Sequence, residues 1–189
     1  QVSLTVGNNE LLAVAGGSGS GKTTLIQHLN GLLIPDKGTI RVDGDNLHAP
    51  GTNIRNIRSR IGLVFQFPEM QLFEETVWDD VAFGPKNMGL GPVQVEKRVL
   101  SALNKVGLDA ETFGDRHPFH LSGGEKRRAA IAGVLAMDPE LLVMDEPTVG
   151  LDCKAAQQVE KIMRAYRAGG KSVVFVSHDM DLVARLAER

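Results

Sequence analysis

Glu10-Leu-Leu-Ala-Val-Ala-Gly16-Gly-Ser-Gly-Ser-Gly21-Lys22-Thr23 is the stretch on which the fold turns. Its first half is a short apolar run that stops at glycines, the pattern of a buried parallel strand rather than an alternating one. Its second half fits G-x-x-x-x-G-K-[ST] and leads into a helical pattern over Lys22–Leu33. Glycines let a backbone curl until successive N–H groups converge on one point. The helix that follows adds the positive end of its dipole. Gly16, Gly17, Ser18, Gly19, Ser20 and Gly21 therefore form a cradle for phosphate oxygens, with Thr24 completing the run. Lys22 supplies a cation for the outer phosphates, and the Thr23 hydroxyl a ligand for Mg²⁺. A glycine-rich turn with an incidental lysine would read the same in isolation. The strand before it and the helix after it favour the phosphate reading.

The pattern repeats outward from there. Ile61-Gly-Leu-Val-Phe65, Leu141-Leu-Val-Met144 and Ser172-Val-Val-Phe-Val176 are further apolar runs of strand length. Helical patterns cover Pro92–Val106, Gly123–Met137 and Cys153–Ala168. Strands alternating with helices predict a mostly parallel α/β sheet. Gly38-Thr-Ile-Arg-Val-Asp43 alternates polar with apolar residues before Gly44, which predicts an antiparallel edge strand. Phe67–Met137 reads as mainly helical, punctuated by Pro68, Pro85, Gly89, Gly91 and Pro92. The predicted division is an α/β core of residues 1–66 and 138–189, its antiparallel part within 36–60, and a helical subdomain of 67–137.

Composition narrows the class. The 189 residues are 42% hydrophobic and 23% charged, which suits one ordinary folded domain and argues against disorder. A net charge of −2 gives no reason to expect a nucleic acid or an anionic lipid surface. The single cysteine, Cys153, cannot form an intrachain disulfide and suits a reducing compartment. No apolar run approaches the ~18 residues that span a bilayer, so any membrane role is expected to be peripheral.

Two more elements carry chemistry. Leu141-Leu-Val-Met-Asp145-Glu146 ends a buried strand in carboxylates, which is costly unless a positive group meets them. Mg²⁺ beside a triphosphate is the natural counter-charge for Asp145. Glu146, one residue on, is placed to polarise a water for attack on the γ-phosphate. Leu121-Ser122-Gly123-Gly124-Glu125 opens a helix rich in alanine. A hydroxyl and free amides at a helix start make a second anion-binding surface. One phosphate group does not need two such surfaces in one subunit, so the second is expected to serve a nucleotide held by another subunit. An ordinary serine N-cap is the plainer alternative, but two consecutive glycines weaken a helix start.

With these residues in place, the chain resembles the ABC ATPase family over its whole length. Gly16–Thr23 matches that family's phosphate loop, Gln66 its Q-loop glutamine and Leu121–Glu125 its signature motif. Leu141–Glu146 matches its acidic strand end, Gly150-Leu-Asp152 its D-loop, and His178 its switch histidine. Phe65-Gln-Phe-Pro-Glu-Met-Gln-Leu-Phe-Glu-Glu-Thr-Val-Trp78, with Phe83-Gly-Pro-Lys-Asn87, is similar to the ATP-binding subunits of energy-coupling-factor importers, which take up vitamins and transition-metal ions. There this stretch faces the transmembrane coupling subunit.

The resemblance implies ATP and Mg²⁺ as ligands, hydrolysis as the reaction and the cytoplasmic side of the cell membrane as its place. Thr23, Asp145 and Gln66 would organise the metal, Glu146 act as base and His178 sense the γ-phosphate. Ser122, Gly123, Gly124 and Asp152 would complete the site of a facing subunit, in a homodimer or a heterodimer. The implied further partners are a transmembrane coupling subunit and a substrate-binding membrane subunit. Alternatives are a soluble ABC-type ATPase outside transport and an importer ATPase of another subfamily. Cys153 stands where the family commonly has proline, and Glu125 where it commonly has glutamine. The family's adenine-stacking aromatic and C-terminal region are not within these 189 residues, so weaker adenine binding and weaker dimers are expected of this stretch.

Overall fold

The computed structural model describes residues 2–67 and 70–189. Its centre is a four-stranded sheet built from β1 (Leu11–Ala15), β4 (Ile61–Val64), β5 (Leu141–Asp145) and β6 (Ser172–Ser177), in the order β1-β6-β5-β4. Every pairing is parallel. The four apolar runs read as buried strands are these four, each within a residue of its expected limits. Their side chains alternate between two cores. Leu11, Leu142, Met144, Val173 and Phe175 join a core with the long helices, whereas Leu12, Val143, Val174 and Val176 join one on the opposite face. Both faces are covered, which is why the strands read as continuous apolar runs.

The register decides where the site is. Ala15 lies opposite Ser177, Asp145 opposite Val176 and Val64 opposite Met144. Because all four strands run the same way, their carboxyl ends share one edge of the sheet, where ligands of open α/β sheets gather.

On one face lie α1 (Lys22–Leu29), α2 (Ile54–Arg60) and a small antiparallel ribbon. The ribbon pairs β2 (Arg41–Val42) with β3 (Asp45–Asn46) around Asp43 and Gly44, both at positive φ. Asp-Gly with this backbone is the hairpin-turn pair. The antiparallel element expected in Gly38–Asp43 is thus present, but it is a separate two-stranded ribbon and shorter than its alternation indicated. Helix α1 also ends sooner than the expected Leu33. Gly31 adopts φ +71 there, and a Cβ on it would lie 2.8 Å from Ile54.

The segment between β4 and β5 is helical: α3 (Val77–Asn87), α4 (Pro92–Lys105), α5 (Ala110–Phe113) and α6 (Gly123–Ala136). Pro85 does not punctuate this segment as expected; it lies inside α3 and is buried. Thr76 caps α3, its hydroxyl accepting from the Asp79 amide at 3.0 Å. Helix α6 buries Ala129, Ala130, Ile131, Ala132, Val134, Leu135 and Ala136. Small residues let it approach β4 so closely that a Cβ on Gly62 would fall 2.3 Å from Val134. Truncating a fully buried aliphatic here, such as Ile131, costs ~2–5 kcal/mol. After β5 come α7 (Cys153–Ala168) and α8 (Met180–Leu186). Among the described residues no helix is long and apolar enough to cross a membrane.

Candidate functional site

The loop between β1 and α1 opens the site. Gly19 and Gly21 adopt φ +78 and +89, a left-handed backbone that costs other residues ~1–2 kcal/mol. Gly21 is the N-cap of α1 and brings no side chain to the cap, so the first amides of the helix, which have no intrahelical acceptor, face outward. The Lys22 ammonium donates to the Gly16 and Gly17 carbonyls at 2.9 and 2.8 Å. Its charge therefore stands across the loop, held to its first residues.

At the end of β5 the Asp145 carboxylate accepts from the Thr23 hydroxyl at 2.8 Å, which joins the acidic strand end to the phosphate loop. Asp145 is 3% exposed, and its Oδ1 is buried without a hydrogen-bond partner. Burial pushes this carboxyl above the ordinary aspartate range; the Thr23 hydroxyl pulls it down, and the neighbouring Glu146 charge pushes it up again. A buried carboxylate with one orphaned oxygen next to a hydroxyl is an incomplete coordination set for a hard cation. The two residues present fit Mg²⁺.

Glu146 follows with φ +45, a left-handed backbone rare for a residue with a side chain. Its amide donates to the Val176 carbonyl at 3.0 Å, so β6 supports this conformation. The turn carries the carboxylate to His178, whose Nδ1 lies 2.9 Å from Oε1. Glu146 is buried and His178 exposed at the same strand edge. Gln66 lies two residues past the end of β4 and is half-buried. Residues far apart in the chain thus meet along one sheet edge because the strands that deliver them are parallel neighbours.

The Ser122-Gly123-Gly124 group and Asp152 are not joined to that cluster by any hydrogen bond among the described residues. Ser122 is the exposed N-cap of α6 in a reciprocal capping box. Its hydroxyl accepts from the Glu125 amide, and the Glu125 carboxylate accepts from the Ser122 amide at 2.8 Å. Asp152 caps α7 by accepting from the Ala155 amide at 2.8 Å. Within one chain both do the work of plain helix caps.

Three residues near the site carried no role in the sequence reading. Arg127, buried in α6, donates to the Phe65 carbonyl at 3.4 Å and to the Val149 carbonyl at 3.2 Å, linking the segments that hold Gln66 and Asp152. Gln71 hydrogen-bonds both sides of the end of β4. Asp80, buried in α3, accepts from the Phe73 and Glu74 amides, and its Oδ2 is left without a partner. A polar residue on an otherwise apolar helical face was the available signal for Asp80 and Arg127. Asp80 and Gln71 line a groove of about 1180 Å³ between α2, α3 and α6. Phe73 and Phe83 meet edge to face at its rim, 4.7 Å apart. Phe67 and Met70 are exposed, 51% and 67%, whereas Leu72 of the same stretch is core. Pro68 and Glu69 of the same motif lie outside the described residues.

A profile of the ABC transporter family matches residues 1–149. This chain belongs to that family. It is 53% identical over 188 residues to the energy-coupling factor transporter ATP-binding protein EcfA2 of Symbiobacterium thermophilum, covering 100% of this chain and 65% of that protein. The Clostridium perfringens protein of the same name is 47% identical over 189 residues, with 100% and 66% covered. The family member described here thus spans 65% to 66% of the length of these relatives.

Solved structures agree on the fold. cbiO1 from Clostridium perfringens, described as part of the ABC transporter complex cbiONQ, superimposes with a TM-score of 0.86 at 39% identity. The match covers 96% of this chain and 72% of that one. An ATP-binding cassette solved as a dimer after hydrolysis, with ADP and Pi, gives 0.84 at 30% identity, covering 95% and 79%. The fold is that of a P-loop NTPase.

Proposed function

We propose that this chain is the ATP-binding and ATP-hydrolysing part of an ABC importer of the energy-coupling-factor type, energising uptake of a vitamin or a transition-metal ion. The observation that carries the reading is the linked set Thr23–Asp145–Glu146–His178 at the mouth of the phosphate loop. The names of the relatives support the importer type.

The chemistry follows from the residues. The loop amides and Lys22 bind the β- and γ-phosphates of ATP. Mg²⁺, held by Thr23, Asp145 and Gln66, would neutralise charge gathering on the phosphate oxygens. Glu146 accepts a proton from a water as its oxygen forms a bond to the γ-phosphorus. The bond from that phosphorus to the bridging oxygen breaks, and ADP leaves with the electron pair. His178 holds Glu146 through its Nδ1–H, and its exposed ring would stand beside the γ-phosphate. Glu146 needs its positive φ for this, since an extended backbone would aim the carboxylate elsewhere.

Ser122, Gly123, Gly124 and Asp152 point to a second subunit. Their exposed helix starts would close on the nucleotide of a facing ATP-binding subunit. The α/β core of residues 1–66 and 138–189 then holds the nucleotide, while 67–137 forms a helical unit that moves against it. The groove beside α3 supports a membrane coupling subunit as the further partner. It offers apolar rings at its rim and a buried carboxylate oxygen that a basic side chain of an entering helix would satisfy. The domain would sit peripherally on the cytoplasmic face of the cell membrane, with substrate recognised by a separate membrane subunit.

The test is phosphate release by the full-length subunit, alone and coexpressed with a membrane coupling subunit from the same genome. Mg²⁺-dependent release that rises on assembly is the expected result. A subunit that binds no ATP, or hydrolyses it equally with and without Mg²⁺, would overturn the proposal.

A further inference from the structure

Phe65, the residue before Gln66, has both backbone groups held by side chains. Its N–H donates to the Gln71 side-chain oxygen at 3.0 Å, and its carbonyl accepts from Arg127. The Gln71 amide nitrogen in turn donates to the Leu63 carbonyl at 3.0 Å. Among the described residues β4 is the outer strand of the sheet, so Leu63 and Phe65 turn these groups to its open edge. Gln71 supplies the missing partner: one primary amide reproduces the donor and acceptor that an adjoining strand would offer. It thereby closes a short loop with Gln66 inside it.

Gln71 also faces outward. It lines the groove beside α3, together with Leu63, Phe65, Phe73 and Asp80. Two residues further on, the Phe73 and Glu74 amides are fixed on Asp80. The chain from Gln71 to Glu74 is thus tied at one end to the strand that delivers Gln66 and at the other to a groove-lining carboxylate.

We infer that Gln71 is a positioning residue, its side-chain amide clamping the end of β4 so that Gln66 is set for the metal and the attacking water. A helix entering the groove acts on Gln66 through this clamp. The inference rests on the proposed ATP hydrolysis. It adds a role for a glutamine of the Phe65–Trp78 motif that the nucleotide chemistry itself does not use.

The test uses the full-length subunit and three readouts: kcat against Mg²⁺ concentration, ATP affinity in EDTA, and amide exchange over residues 61–71. Gln71→Met keeps the shape and removes both hydrogen bonds. It should lower kcat about tenfold and raise the Mg²⁺ needed for half-maximal rate several-fold, as loss of a supporting partner typically does. Affinity for ATP in EDTA should stay within about twofold, since the phosphate loop is untouched. Exchange over 61–71 should quicken while β5 is unchanged. Gln71→Glu keeps the acceptor for Phe65 but sets an anionic oxygen against the Leu63 carbonyl, so kcat should fall at least as far, and it carries the same comparison if Gln71→Met does not fold. An active wild type with a variant unchanged in kcat and Mg²⁺ dependence overturns this inference alone. So does a fall in EDTA affinity matching the fall in kcat, which marks general damage. An inactive wild type overturns the functional proposal instead; unchanged exchange in the variant then still overturns the clamp.

Discussion

The imidazole Nδ1 of His178 lies 2.9 Å from Oε1 of Glu146, although 32 residues separate them in the chain. The backbone amide of His178 approaches the other oxygen of the same carboxylate at 3.4 Å. The pair exists because β5 and β6 are parallel neighbours and Glu146 turns into the left-handed region just past its strand. One residue is the proposed base, and the other fixes where that base points.

Glu146→Gln should therefore separate binding from chemistry. The amide keeps the shape and can still meet His178, but it cannot accept the proton. Loss of a general base costs ~10²–10⁴ in rate. Phosphate release should fall by that factor while ATP binding stays near wild type and ATP traps the dimer. Release near the wild-type rate would take the base assignment away from Glu146.

Asp145 links pH to stability. Burial raises its pKa above the ordinary 3.8 in the folded chain. A raised carboxyl pKa contributes stability that is complete below the unfolded value and lost as pH rises through the folded one. Once ionised, this carboxylate is buried with one oxygen unsatisfied. Asp145→Asn should raise the melting temperature at pH 7, by roughly 2–4 °C for each ~1 kcal/mol relieved in a chain of this size. The advantage should shrink toward pH 4. Mg²⁺ should add to the stabilisation by ATP in wild type and not in the variant. Melting curves over pH 4–8, with and without both ligands, check it; a variant that melts lower at every pH would show Asp145 to be structural.

Ser122 gives a prediction about pairing. Its hydroxyl and amide are used in its own capping box, yet it is exposed at the start of α6. If it completes a facing site, phosphate release per full-length subunit must rise with protein concentration and level off as the dimer forms. Sedimentation alongside the assay gives the dimer fraction. A flat specific activity down to the monomer range would rule the composite site out.

Exposed and buried members of one apolar stretch should behave oppositely. Phe67 and Met70 face solvent, so Phe67→Glu and Met70→Glu should leave the fold and basal hydrolysis within about twofold of wild type, as surface changes of ±0.5 kcal/mol do. Assembly with the coupling subunit should be lost. Leu72 is 3% exposed, and Leu72→Glu should destabilise the protein by several kcal/mol through an unpaired buried charge. A pull-down from detergent extract, beside phosphate release and melting curves for each variant, decides it. Persistent assembly of the first two variants would mean the coupling surface lies elsewhere.

Local sequence was enough for the four sheet strands, the glycine-rich loop and the limits of α4, α6 and α7, because each depends on near neighbours. A continuous apolar run means burial on both faces, Gly-x-Gly-Lys-Thr before a helix means a curled loop, and Asp152 before Cys153 caps the helix it precedes. The family resemblance then attached roles to Gln66, Asp145, Glu146 and His178. What sequence could not supply was anything set by packing across the sheet. Pro85 reads as a breaker, yet core contacts carry α3 through it. Leu72 reads like its exposed neighbours, yet it falls in the core, and Gly38–Asp43 reads as an edge strand because alternation does not say which sheet a strand joins. The bonds from Gln71 to Leu63 and Phe65, and the lone Oδ2 of Asp80, exist only once α6 has settled against β4 and α3 against α6. Hydrogen-bond satisfaction in a folded chain depends on which distant groups arrive, and that is decided by tertiary structure alone.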